Sequence, residues 1–88
     1  MRYMAQEAAD LPDLRAFREG LSPCLTLREV EDGTGIDKSA LSRIETGRKV
    51  ISRQYARRLA QFYSQATGRS VTPGEVLDMA ELALNRYR

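Results

Sequence analysis

Apolar positions along this 88-residue chain recur every three or four residues, in short runs broken by glycine and proline. No stretch alternates apolar and polar residues in β-branched company. The pattern predicts an all-α chain of five short helices. The first is expected from Leu11-Pro12 to Gly20, with Pro12 at the first helical position, Gly20 just past the end, and Leu14, Phe17 and Leu21 as its apolar stripe. The second follows Thr26, which forms a capping box with Glu29, while Leu25 and Val30 have staple spacing around it. Leu27, Val30 and Thr34 share a face, and the segment stops at Gly33-Thr34-Gly35, where Gly35 can take the left-handed conformation of a tight turn. The third is capped by Asp37 and stapled by Ile36 and Leu41. Leu41 and Ile44 face inward, Lys38, Ser39, Ala40, Ser42, Arg43 and Thr46 face outward, and Gly47 ends the helix. Ser52 caps the fourth, which runs to Thr67-Gly68 on a stripe of Tyr55, Ala56, Leu59, Ala60, Phe62, Tyr63 and Ala66, with Arg53, Arg57 and Arg58 off it. Thr72-Pro73-Gly74-Glu75 opens the fifth with a second capping box, and Val71 and Val76 give a third staple. That helix continues to Tyr87, with Val76, Leu77, Ala80, Ala83, Leu84 and Tyr87 on one side.

The second and third helices carry the most specific signal. Two short helices joined by a glycine turn, the second polar and basic outside, match a helix-turn-helix. Such a pair must pack closely, and its second helix must offer short polar side chains to enter a groove about 12 Å wide. Residues 27–44 meet both needs, with Val30, Ile36, Leu41 and Ile44 apolar where the pair must touch and Gly35 at the turn.

Charge sharpens this reading. The net charge is only +2, but residues 1–37 carry net −4 and residues 38–69 net +7. In the latter block Lys38, Arg43, Arg48, Lys49, Arg53, Arg57, Arg58 and Arg69 face one acid, Glu45. A basic block beside a helix-turn-helix is the footprint of a polyanion-binding surface.

The segment Thr34-Gly35-Ile36-Asp37-Lys38-Ser39-Ala40-Leu41-Ser42-Arg43-Ile44-Glu45-Thr46-Gly47 resembles the signature of the phage Cro/repressor family, the xenobiotic-response-element type of helix-turn-helix. Arg48-Lys49 and the later Val71-Thr72-Pro73-Gly74-Glu75-Val76-Leu77 fit the same family, so the resemblance spans roughly residues 14–77. It implies a five-helix lambda-repressor-like fold and double-stranded DNA as the partner, bound by a homodimer at a near-palindromic operator. The resemblance departs at three places. Leu27 stands where the family has a glutamine that holds a phosphate. Glu31 stands where the family prefers alanine, and must tilt out or meet a basic partner. The connection Gly20–Leu25 is about two residues longer than usual.

Within that frame, Lys38, Ser39 and Arg43 are the expected base readers, since arginine and lysine reach the acceptors of guanine in the major groove. Arg28, Ser42, Thr46, Arg48, Lys49, Ser52 and Arg53 are expected on the DNA backbone, where contacts set affinity and register. Ser52 also places the free amides of the fourth helix near a phosphate. Glu45, by family analogy, pairs with Arg18 to hold the recognition helix on its scaffold.

The whole chain, 1–88, reads as one domain: an N-terminal arm over 1–10, the helix-turn-helix over 26–46 and the C-terminal helix over 72–88. Leu82, Leu84 and Tyr87, with Tyr3 and Met4, are expected to form a dimer surface, against the alternative that the fifth helix only packs the core. No apolar run approaches the roughly 18 residues of a membrane span, and the first residues lack the apolar core of a signal peptide. With the single Cys24, this places the protein in the cytoplasm. No histidine and no nucleophile–base set or metal-ligand spacing is present, so no enzyme activity, cofactor, metal or small-molecule ligand is expected. The functional expectation is a transcriptional regulator of phage or bacterial type, a repressor acting by operator occlusion. Two alternatives stay open: an antitoxin that binds its own promoter and a protein toxin, and an interaction scaffold that has lost DNA binding.

Overall fold

The computed structural model describes residues 11–87. Tyr3 and Met4 of the arm, and the Tyr87 side chain, lie outside the described residues. The described chain is all-α: α1 Leu14–Glu19, α2 Leu27–Thr34, α3 Lys38–Glu45, α4 Arg53–Thr67 and α5 Pro73–Tyr87, with no strand among the described residues.

The caps explain these boundaries. α1 starts two residues later than Pro12 predicts, because Asp13 takes the N-cap and its carboxylate accepts the Ala16 N–H at 2.8 Å. An aspartate that satisfies an orphan amide outranks a proline that only presets φ. Thr26 and Glu29 close the capping box of α2 in both directions, and Thr72 and Glu75 do the same for α5. Asp37 caps α3 and Ser52 caps α4. α2 continues through Gly33 to Thr34. Gly35 then takes φ 76°, and its N–H donates to the Glu31 carbonyl at 2.8 Å. A residue with a Cβ is strained at that φ, so the turn between α2 and α3 depends on glycine.

Gly33 matters for a different reason. A Cβ placed there would collide with the Phe62 ring of α4. The missing side chain lets α2 lie close against α4. The core gathers Leu14 from α1, Val30 from α2, Ile36, Leu41 and Ile44 around α3, Ala56, Leu59, Ala60 and Tyr63 from α4, and Val76, Met79 and Ala80 from α5. Tyr63 is 1% exposed and meets Phe17 and Phe62 edge-on, with ring centroids at 5.1 and 5.4 Å. Such pairs add about 0.5–1.5 kcal/mol each beyond area burial. α5 packs against α1, α3 and α4, while α2 packs against α3 and α4, so α3 is held from both sides with one face left open.

Three expectations about faces change. Ala40 is half-buried and packs on the core rather than facing out, because α3 is clasped between α2 and α5. Ala66, in the last turn of α4, is exposed rather than part of the buried stripe. Met79 and Ile51 are buried although neither belongs to the predicted stripes; Ile51 anchors the loop between α3 and α4.

Candidate nucleic-acid interface

The interface begins with how α3 is fixed. At its C-terminal end Glu45 is 8% exposed and faces Arg18, also 8% exposed, from α1. The guanidinium meets the carboxylate with two bonds: Nε donates to Oε2 and the second terminal nitrogen to Oε1, both at 2.9 Å. Its other terminal nitrogen donates to the Leu25 carbonyl at 2.8 Å. One buried arginine thus joins α1, the end of α3 and the connection before α2. The carboxylate bond raises the Arg18 pKa further, against the opposing effect of burial.

At the other end of α3, the Glu31 carboxylate accepts the backbone N–H of Lys38 at 3.2 Å. Glu31 does tilt out, but its partner is a main-chain amide of the first turn rather than a basic side chain. That amide has no partner within its own helix, and the positive end of the helix favours a carboxylate there. Between these fastenings, the Thr34 hydroxyl donates to the Val30 carbonyl at 2.7 Å and accepts the Ile36 N–H at 3.2 Å, bracing the turn.

After α3 the chain reverses at Gly47, φ 81°. The Gly47 N–H donates to the Ile44 carbonyl at 3.2 Å and the Arg48 N–H to the Arg43 carbonyl at 2.8 Å. This pair of bonds is a Schellman ending, and it brings Arg48 back beside the open face of α3.

The open face of α3 borders a surface groove of about 760 Å³. Its lining side chains are Leu27, Lys38, Ser39, Ser42, Arg43, Thr46 and Arg48. Three are cations, three are hydroxyls and one is apolar. Lys38, Ser39 and Arg43 share it with Ser42, Thr46 and Arg48 from the backbone set. Arg28, Lys49, Ser52 and Arg53 are exposed but do not line it. Arg28 sits in the first turn of α2 and Arg53 in that of α4, both helix starts that leave free amides.

Two hydroxyls have local duties. The Thr46 hydroxyl donates to the Ser42 carbonyl at 2.9 Å, so it could donate to a phosphate only by breaking that bond. The Ser52 oxygen accepts the Tyr55 N–H at 3.1 Å, which leaves its hydrogen available. Two features are marked in the sequence only as departures from the resembled pattern, which does not give their contacts. The Glu31–Lys38 bond joins residues on separate helices, and Leu27, whose spacing is that of a core-facing position, also enters the groove.

A family described as "Helix-turn-helix domain" matches residues 13–68, well over half of the chain. The chain belongs to this family. The match contains α1–α4 with both fastenings of α3, so Arg18, Glu31 and Glu45 all lie within the helix-turn-helix domain. No curated protein and no solved structure matches the chain. Among the described residues, no helix is long and apolar enough to cross a membrane.

Proposed function

We propose that this helix-turn-helix protein is a sequence-specific double-stranded DNA-binding transcriptional regulator of Cro/repressor type. It represses by occlusion: two copies set their α3 helices into successive major grooves about one turn (~34 Å) apart on a near-palindromic operator and block polymerase. The observation that carries this reading is the groove along α3. The exposed polar side chains of the recognition helix converge there with Arg48, while both ends of the helix are pinned.

Within this reading Lys38, Ser39 and Arg43 read base edges. Ser42 and Arg48 hold phosphates from the groove, and Arg28, Lys49, Ser52 and Arg53 from the flanking helix starts and loop, while Thr46 reaches a phosphate only by giving up its bond to the Ser42 carbonyl. Pinned helix ends suit such a reader, because a bidentate arginine–guanine contact tolerates little misplacement. Leu82, an exposed large apolar side chain on α5 (36% exposed), is the observation that supports the homodimer.

The test is a selection of bound sequences from random duplex DNA, followed by two variants. Arg43→Ala should relax preference at one base pair and cost about 1–3 kcal/mol on the selected site. Arg48→Ala should weaken selected and random DNA alike and lower the salt slope by about one. Equal losses on both DNAs for both variants would refute this division of labour.

A further inference from the structure

Leu27 is the one apolar side chain among the groove-lining residues, and it stands at the first position of α2. It is half-buried: its inner part packs on the core and the remainder faces the groove beside Lys38, Ser39, Ser42 and Arg43. A leucine side chain cannot hold a phosphate. Set against one, it would strip water from the anion and return no hydrogen bond, which is unfavourable. Its complementary surface on a duplex is apolar. In the major groove the exposed apolar group on a base edge is the 5-methyl of a pyrimidine.

We infer that Leu27 contacts the 5-methyl group of a pyrimidine at the edge of the bound site, and so adds an apolar element to a reading otherwise made by hydrogen bonds. This rests on the DNA-binding reading above. It makes Leu27 a specificity-determining residue, at a position outside the recognition helix. Thymine carries the methyl in ordinary DNA, and 5-methylcytosine carries the same group.

The experiment uses the full chain and the duplex obtained by selection. Each thymine in turn is replaced by deoxyuridine, which removes the methyl and keeps every hydrogen-bonding group. At one symmetric pair of positions binding should weaken about fourfold, the effect of one methyl-sized apolar group. In Leu27→Ala the same replacement should change affinity by less than about 1.5-fold, since the methyl has lost most of its contact. Cytosine at that position should bind worse than 5-methylcytosine in the parent and equally well in the variant. Sensitivity to deoxyuridine that survives unchanged in Leu27→Ala overturns the assignment. So does insensitivity at every thymine, or a selected site without thymine. If Leu27→Ala weakens all duplexes equally with no change in methyl discrimination, the residue packs on sugar or core and the proposal fails, while sequence-specific binding stands. A selection that enriches no sequence fails the DNA-reading function itself, and the inference with it.

Discussion

Glu45→Gln isolates what the buried ion pair contributes to the placement of the recognition helix. The variant keeps size and one acceptor oxygen but removes the charge that balances Arg18. Both side chains are nearly closed to solvent, 9% exposed for Arg18 and 7% for Glu45, so water cannot replace the lost partner. Breaking one side of such a pair costs about 3–5 kcal/mol, and the retained oxygen puts Gln at the lower end. In a domain of this size 1 kcal/mol moves the melting point by about 4–8 °C, so ~3 kcal/mol corresponds to roughly 12–24 °C. Thermal unfolding followed by circular dichroism reads this directly. At a temperature where the variant stays folded, affinity for the selected duplex should fall more than affinity for random duplex, because the end of α3 loses its anchor. Arg18→Met/Glu45→Met supplies the control. Replacing both charges by apolar groups of similar length removes the uncompensated ion, and stability should recover beyond the single variant. A melting point for Glu45→Gln within about 2 °C of the parent would refute the reasoning, since that is under ~0.5 kcal/mol. A double variant as unstable as the sum of its singles would also refute it.

Gly33→Ala gains about 1 kcal/mol of helix propensity but drives a methyl into the Phe62 ring, and the overpacking cost of about 1–3 kcal/mol should dominate. Chemical denaturation should show a loss, and combining it with Phe62→Leu should cost less than the two single changes added together. Glu31→Gln weakens the bond to the Lys38 amide and should cost about 0.3–1 kcal/mol, yet it removes an anion near the groove. Its affinity for random duplex at low salt should therefore rise as its melting point falls; a fall in both would remove the carboxylate from the electrostatics of the interface. Burial disfavours the charge on Asp13, but the Ala16 amide and the Arg86 guanidinium outweigh it and hold the carboxyl below its usual 3.8. Its stabilising contribution is therefore present above pH 3.8 and lost as pH falls through the lower folded value. Asp13→Asn should be less stable than the parent at pH 7, with the difference shrinking as an acid titration protonates the folded carboxyl; a constant difference would contradict the linkage.

What was legible in the sequence was local, and physics explains why. A cap acts within three residues, so Thr26 with Glu29 and Thr72 with Glu75 announce helix starts that the fold then keeps. Apolar spacing reports which face of a helix must be covered, which is why Leu41, Ile44, Leu59 and Tyr63 are found in the core. Neither signal says which neighbour covers a face, or how near it comes. Ala40 read as outward because its own helix permits that, but the approach of α2 and α5 covers it. Gly33 read as a helix stop, when its missing Cβ serves contact with a ring 29 residues away in sequence. Arg18 and Glu45 are separated by 27 residues, and only the family resemblance brought them together before the geometry did. The same limit governs the interface. Lys38, Ser39, Ser42 and Arg43 follow from the period of one helix, so their shared face was legible. Leu27 and Glu31 come from the other helix, and their part in the surface depends on the turn that sets one helix against the other. The two departures from the family pattern on α2 therefore act at the same place: Glu31 fastens the first turn of α3, and Leu27 completes the groove beside it. A substitution that disturbs the turn, such as a residue with a Cβ at Gly35, should change both at once, because helix placement and groove shape are one geometry here.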